Sequence, residues 1–226
     1  MRRFVAWAAL ILVVLLAAAV VVDRVLHARA ETEVAKQLTS FMEVDGEPDV
    51  TIDGFPFLTQ VAAGTMTSVR ASAAGVVAEG TQLDDVKVHA RGVALTQPIT
   101  AGRLEVTGTL PDAEIQRLVD ERHGDLGLAV STHTEGVTLR ATLLGMPLEV
   151  LAEPTVAGQS IQVRVVRLTL GGQEVDAGAL APLLGSTPLS FDLAVPNLPQ
   201  GLAVDGVRAQ DGGVRLTLAG EDVVLG

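Results

Sequence analysis

After Pro48 the apolar residues return at every second position, and they keep doing so almost to the end of the chain. The segments "DVTIDG", "LTQVAAG", "SVRASA", "DVKVHARGVAL" and "GRLEVTGTL" have this period. So do "LGLAVSTHTEGVTLRATLLG", "PLEVLAE", "IQVRVVRLTLGG", "LSFDLAV", "GLAVDGVRAQ" and "GVRLTLAGEDVVLG". Side chains alternate between the two faces of a strand, so a period of two predicts strands. "EGTQ", "LGG" and "DGG" supply turns, and Asp211-Gly212-Gly213 has the chemistry of a tight hairpin. Many short strands joined this way predict a long, curved, mostly antiparallel sheet with one apolar and one polar face.

Three segments depart from the alternation. In "ETEVAKQLTSFME", residues 31–43, Val34, Leu38, Phe41 and Met42 share one helical face, with Glu31, Glu33, Lys36 and Gln37 opposite. This predicts a helix that packs on the core, and one that also serves as an arm into the domain. "PDAEIQRLVDERHG" predicts a second helix, with Pro111 near its start and Gly124 past its end. "DAGALAPLLGS" predicts a third, with Asp176 as N-cap and Gly185 as stop, shortened or kinked by Pro182. The fold class is therefore α+β, a curved sheet with a few helices.

The N-terminus is a different material. Phe4 to Val22 is a run of nineteen residues without a charge, preceded by Arg2 and Arg3. At ~1.5 Å per residue such a helix just spans a hydrocarbon core of ~30 Å. The leading arginines fit an export signal whose N-terminus stays inside. A cleaved signal peptide is the rival reading, because "HARA" (His27 to Ala30) offers small residues for cleavage. That site lies well past the apolar run, so the sequence favours an uncleaved anchor. Residues 1–30 are expected to form a transmembrane anchor or signal segment and residues 31–226 a single exported domain. On either reading the domain lies on the extracytoplasmic, periplasmic side.

Charge narrows the partners. The chain carries −11, while residues 1–30 hold Arg2, Arg3, Arg24 and Arg29 against Asp23, leaving −14 on the remainder. A domain this acidic is a poor partner for nucleic acid, and no basic patch draws it to anionic membrane. Any hold on lipid must come through apolar contact. The chain has no Cys, so it has neither disulfides nor a lipid-modified cysteine.

The sequence offers little for catalysis. His27, His89, His123 and His133 have no metal-ligand spacing, and "ERHGD" (Glu121 to Asp125) reads as a solvated helix end. There is no nucleophile elbow, P-loop or dinucleotide fingerprint. Asp84-Asp85 and Glu221-Asp222 are adjacent pairs that point to opposite faces of a strand. The expectation is a protein that is not an enzyme and carries no metal or cofactor.

One stretch interrupts the strands sharply: Gly54-Phe55-Pro56-Phe57. The chain has five Phe, and two flank this one proline. Gly54 permits a positive φ and Pro56 lacks an N–H, so the chain must bend or run along an edge here. Phe55 and Phe57 then either plug one end of the core or line the mouth of an apolar groove. Gly145-Met146-Pro147-Leu148 echoes the pattern, and chance explains the echo better than an internal repeat.

The order of these features resembles the LmeA family of actinobacterial phospholipid-binding proteins. The resemblance rests on the apolar anchor and short helix, on "PDVTIDGFPFLTQVAAG" beginning at Pro48, and on "NLPQGLAVDGVRAQDGGVRLTLAGEDVVL" near the end. It implies a membrane-tethered, periplasm-facing domain similar to elongated lipid-transfer folds of the BPI-like type, in which a curved sheet wraps a helix around an apolar channel. It also implies phospholipid binding in cell-envelope lipid or lipoglycan maintenance. The residue pattern puts Phe55, Phe57, Leu58, Phe41 and Met146 forward as lipid-contacting positions. The expected partners are phospholipid and the cytoplasmic membrane. A ligand-free scaffolding or interaction module of the envelope is the alternative.

Overall fold

The computed structural model describes residues 2–225 except 42, 79, 124–126, 144, 176–189 and 195–197. For residues 2–11, 40, 41, 122, 123, 143 and 190–194 it describes the backbone alone. The alternating segments form two open antiparallel sheets. In the first, β1 (Glu43–Asp45) and β2 (Asp49–Asp53) both pair with β3 (Thr65–Ala78). The sheet continues through β4 (Thr81–Ala94) and β5 (Thr100–Pro111) to β13 (Gly213–Val224) and β12 (Leu202–Gln210). The second runs β10 (Gln173–Glu174), β9 (Ser160–Leu170), β8 (Met146–Ala157), β7 (Gly136–Leu143), β6 (Ala129–His133), with β11 (Ser190–Ala194) also on β9. Strands of fourteen residues such as β3 and β4 reach about 45 Å.

The core of the first sheet lies toward one end. Ala90, Val93, Ala101, Leu104, Leu202 and Val223 are buried together, and Met66, Val69, Val88, Val106, Leu198 and Leu218 pack against them. Ala101 and Val223 are fully enclosed. Leu198 and Leu202 bracket the turn Pro199–Gly201, which lies tightly over β13. A Cβ on Gly220 would stand 2.1 Å from the Gly201 carbonyl oxygen, so no larger residue fits there. The "LPQGL" segment is thus a lid on the core, held by close backbone approach.

The two sheets are joined by α3 (Asp112–His123), which starts directly after Pro111 as its sequence predicts. The Asp112 carboxylate accepts both the N–H and the hydroxyl of the fully buried Thr132 on β6, at 3.1 and 2.6 Å. Gln116 spans the preceding loop, donating to the Leu128 carbonyl and accepting from the Val130 N–H. Glu114 reaches the other way and accepts the Gln82 N–H of β4. In addition, β12 runs against β6, β7 and β8, which ties the second sheet to the first.

Two expectations need correction. "LTQVAAG" is not a strand: α2 (Phe57–Ala63) is a short helix. Pro56 enters it in extended geometry, and Gly64 closes it with φ +70. Those two residues, with two alanines between, override an apolar pattern too short to distinguish the periods. Nor do the described residues form a sheet wrapped around a helix with a closed channel. Both sheets are open, α3 sits at their junction, and α1 (Arg2–Phe41) lies along the β1/β2 edge. The helix expected over Asp176 to Ser186 lies outside the described residues.

Of the helix expected over residues 31–43, residues 31–41 are helical, with Val34 and Leu38 half-buried and Glu33, Lys36 and Gln37 exposed. Glu31, expected on the exposed face, is half-buried because it turns to the Ile52 N–H. Met42 lies outside the described residues, and Glu43 already opens β1. Residues 31–41 do not form a separate element, because the apolar run continues into them as one forty-residue helix. The transmembrane helix expected here is not shown. Among the described residues no helix is long and apolar enough to cross a membrane. The described side chains begin at Leu12, and the eleven apolar residues from there to Val22 cover only about 16 Å before Asp23 and Arg24.

A cleft between the long helix and the Gly-Phe-Pro-Phe turn

The turn that interrupts the strands docks the long helix onto the sheet. Gly54 has φ +112, a conformation open to glycine, and a Cβ there would stand 2.5 Å from the Gln60 amide nitrogen. Gln60 braces the turn, donating to the Asp53 carbonyl at 3.3 Å and accepting the Thr67 N–H at 2.8 Å. Thr59 donates its hydroxyl to the Pro56 carbonyl at 2.7 Å. The Gly-Phe-Pro-Phe-Leu-Thr-Gln run is therefore one folded unit, with its last residue fastened to the carbonyl just ahead of its first.

From α1 three polar side chains at i, i+4 and i+8 reach this unit and the strand before it. Asp23, 4% exposed, accepts the Leu58 N–H at 2.8 Å and so caps a helix that has no side-chain cap of its own. His27 donates through Nε2 to the Ile52 carbonyl at 2.6 Å, and Glu31 accepts the Ile52 N–H at 2.8 Å. Ile52 is on the edge of the sheet, facing away from β3. Helix α1 thus satisfies with side chains a backbone edge that another strand would otherwise pair. The His27 ring also stacks on Phe57, with centroids 5.2 Å apart and planes at 28°.

Between the two helices lies an open cleft of about 900 Å³. Val25, Leu26 and Ala28 form one wall, Leu58 and Val61 the other, and Phe57 lies at its base. Arg29, Glu33 and Lys36 stand along its length on α1. An aliphatic chain fits such walls, and the guanidinium and ammonium groups beside them suit a phosphate. A second hollow of about 380 Å³ lies on the face of the first sheet, where Thr51, Arg70, Lys87, His89 and Glu105 stand among the apolar Ala71 and Val88. There Asp53 holds Arg70 in a two-pronged pair at 2.6 and 2.9 Å, and the guanidinium pulls the carboxyl below its usual range.

The proposed lipid-contacting residues divide. Leu58 lines the cleft and is 39% exposed, whereas Phe57 is 5% exposed and mostly structural in its contacts. Phe55 points into solvent, 57% exposed, with the Arg24 guanidinium 5.1 Å from its ring centre. Phe41 ends α1, and its side chain is outside the described ones. Met146 opens β8 in the other sheet, so the structure does not group it with α2. The Gly-Met-Pro-Leu echo leads into a strand where Gly-Phe-Pro-Phe leads into a helix, and the two are not equivalent. The sequence reading missed Asp23, His27 and Glu31. Their spacing, one polar stripe on a helix, was the available signal.

An α+β protein with two open sheets, a long helical stem and an apolar cleft beside it is the class this geometry defines. The sequence model of the LmeA-like phospholipid-binding family matches residues 21–219, and the chain belongs to that family. The match includes Asp23, His27 and the cleft wall of α1. No curated protein and no solved structure matches the chain.

Proposed function

We propose that the protein binds phospholipid with an acyl chain in the α1–α2 cleft, while the start of α1 keeps it on the extracytoplasmic face of a membrane. The observation that carries this is the cleft itself, apolar on both walls and flanked by Arg29 and Lys36, in a chain of a phospholipid-binding family. The role is to carry or sense lipid for envelope maintenance, and it requires no catalytic group.

Retention of the N-terminal segment is supported by its contacts. Cleavage after Ala30 would remove Asp23 and His27, leave the Leu58 N–H without its acceptor and uncover Phe57. The sequence ahead of Leu12 adds Phe4 to Ile11 to the apolar run and places Arg2 and Arg3 before it. The full chain purified from membranes should carry phospholipid detectable by mass spectrometry, and its intact mass should include residues 1–30. Val61→Glu should lower bound lipid sharply while leaving the melting temperature near that of the parent. An unchanged lipid load in Val61→Glu would rule out the cleft.

A further inference from the structure

The path of α1 identifies one end of the first sheet. Asp23 meets α2, His27 and Glu31 meet Ile52, and the end of the helix meets β1. Along β3, Ile52 stands opposite Val69 and Val44 opposite Val76, whereas α2 adjoins Thr65. The helix therefore travels along the sheet edge from the α2 end to the β1 end. Its exposed residues Leu12 to Val22 must project outward beyond the α2 end.

That same end presents apolar side chains to solvent. Phe55 is 57% exposed, Leu58 39% and Val61 42%. The loop between β4 and β5 adds Leu95 at 39% and Ile99 at 38%, and Leu225 after β13 adds 44%. Backbone hydrogen bonds join these pieces: the Leu95 N–H donates to the Gly64 carbonyl, closing α2, and the Leu225 N–H donates to the Ile99 carbonyl. The opposite end of the sheet, at the Asp211 hairpin and Gly80, contributes no large exposed apolar residue among those described. Arg24, over the Phe55 ring, combines a cation and an aromatic where the apolar stretch of α1 stops. Such pairs suit the head-group level of a bilayer.

We propose that this end of the sheet is a membrane-seating surface, which rests Phe55, Leu58, Val61, Leu95, Ile99 and Leu225 in the interface of a phospholipid bilayer. It rests on the tethering proposed above, and it goes further by assigning the β4–β5 loop and the C-terminal end of β13 to lipid contact. The bilayer is chosen over a protein partner because the helix leaves the domain through this same end with an apolar surface of its own. Seated this way, the mouth of the cleft at Leu58 and Val61 opens at the lipid surface.

The chain has no cysteine and a single tryptophan, Trp7, so two independent reporters are available. The full chain is reconstituted into phosphatidylcholine/phosphatidylglycerol vesicles. Trp7 fluorescence is quenched with brominated lipid, and single-cysteine variants Ile99→Cys and Asp211→Cys carry a nitroxide label. Ile99→Cys should show collision with oxygen favoured over a water-soluble nickel complex, with Asp211→Cys showing the reverse. A water-exposed label at Ile99 while Trp7 is quenched would overturn the seating surface and leave the tether intact. Trp7 unquenched with both labels in water would overturn the tether and, with it, this proposal. Leu95→Glu with Ile99→Glu should keep the melting temperature and shift the Phe55→Cys label into water. No shift would also overturn the proposal.

Discussion

The carboxylate of Asp23 accepts the N–H of Leu58 at 2.8 Å across thirty-five residues of sequence. With His27 and Glu31 on Ile52, it is one of three points where the N-terminal helix and the folded domain become one structure. Removing it leaves a part-buried N–H without its acceptor, at a cost of ~1–3 kcal/mol. Asp23→Ala should destabilise the domain by about that much in denaturant titration, and hydrogen exchange at the Leu58 amide should accelerate. Asp23→Asn keeps an acceptor and should cost less.

Phe55 and Phe57 should behave as opposites. Phe57→Ala empties a buried site under His27 and should cost ~3–5 kcal/mol of stability. Phe55→Ala alters an exposed ring and should stay within about 0.5 kcal/mol of the parent, while vesicle binding weakens. Paired melts and vesicle flotation check both. A large stability loss in Phe55→Ala would mean the ring is packed in solution.

The acid side of the stability profile should report on Glu114. The Arg117 guanidinium and the Gln82 N–H favour its charged form and hold its pKa below the ordinary 4.5. A depressed carboxylate stabilises the fold above its unfolded pKa, and that contribution disappears as pH falls through the lower folded value. The parent should lose stability between about pH 4.5 and more acidic values more steeply than Glu114→Gln. Denaturation curves at stepwise lower pH make the comparison, and parallel profiles would assign the acid sensitivity elsewhere.

Lipid uptake should depend little on ionic strength. With −14 outside the first thirty residues, apolar burial rather than charge attraction must dominate, and salt screens the latter. Uptake from neutral and anionic vesicles should be compared at low and high salt. A steep loss confined to anionic vesicles would show that Arg29 and Lys36 contribute more than the cleft walls.

The sheets were legible because alternation is a local property. Segments such as "SVRASA" and "GVRLTLAGEDVVLG" need no distant partner to show their period, and Asp211-Gly212-Gly213 forms the expected turn, with Gly212 at φ +83. The bend at Gly54 was equally legible, since glycine and proline act through their own backbones. What followed it was not. Phe57 to Ala63 is helical because a proline and a glycine bound it and Asp23 caps it from another helix, and that cap is a tertiary contact. The roles of Asp23, His27 and Glu31 were hidden for the same reason. They read as the polar margin of an apolar run until β2 is laid beside them.

The helix α1 passes from its apolar stretch to its domain-bound half without a break. A flexible linker would let the domain swing and sample many heights above a bilayer. On the tethering proposed above, a continuous rod clamped at Asp23, His27 and Glu31 leaves little more than tilt of the whole rod, rotation about its axis and drift within the plane. With one end of the rod held in lipid, the domain would stand as a mast, its cleft at near-constant altitude. Its encounters with lipid and neighbouring proteins would then be a two-dimensional search at nearly one level.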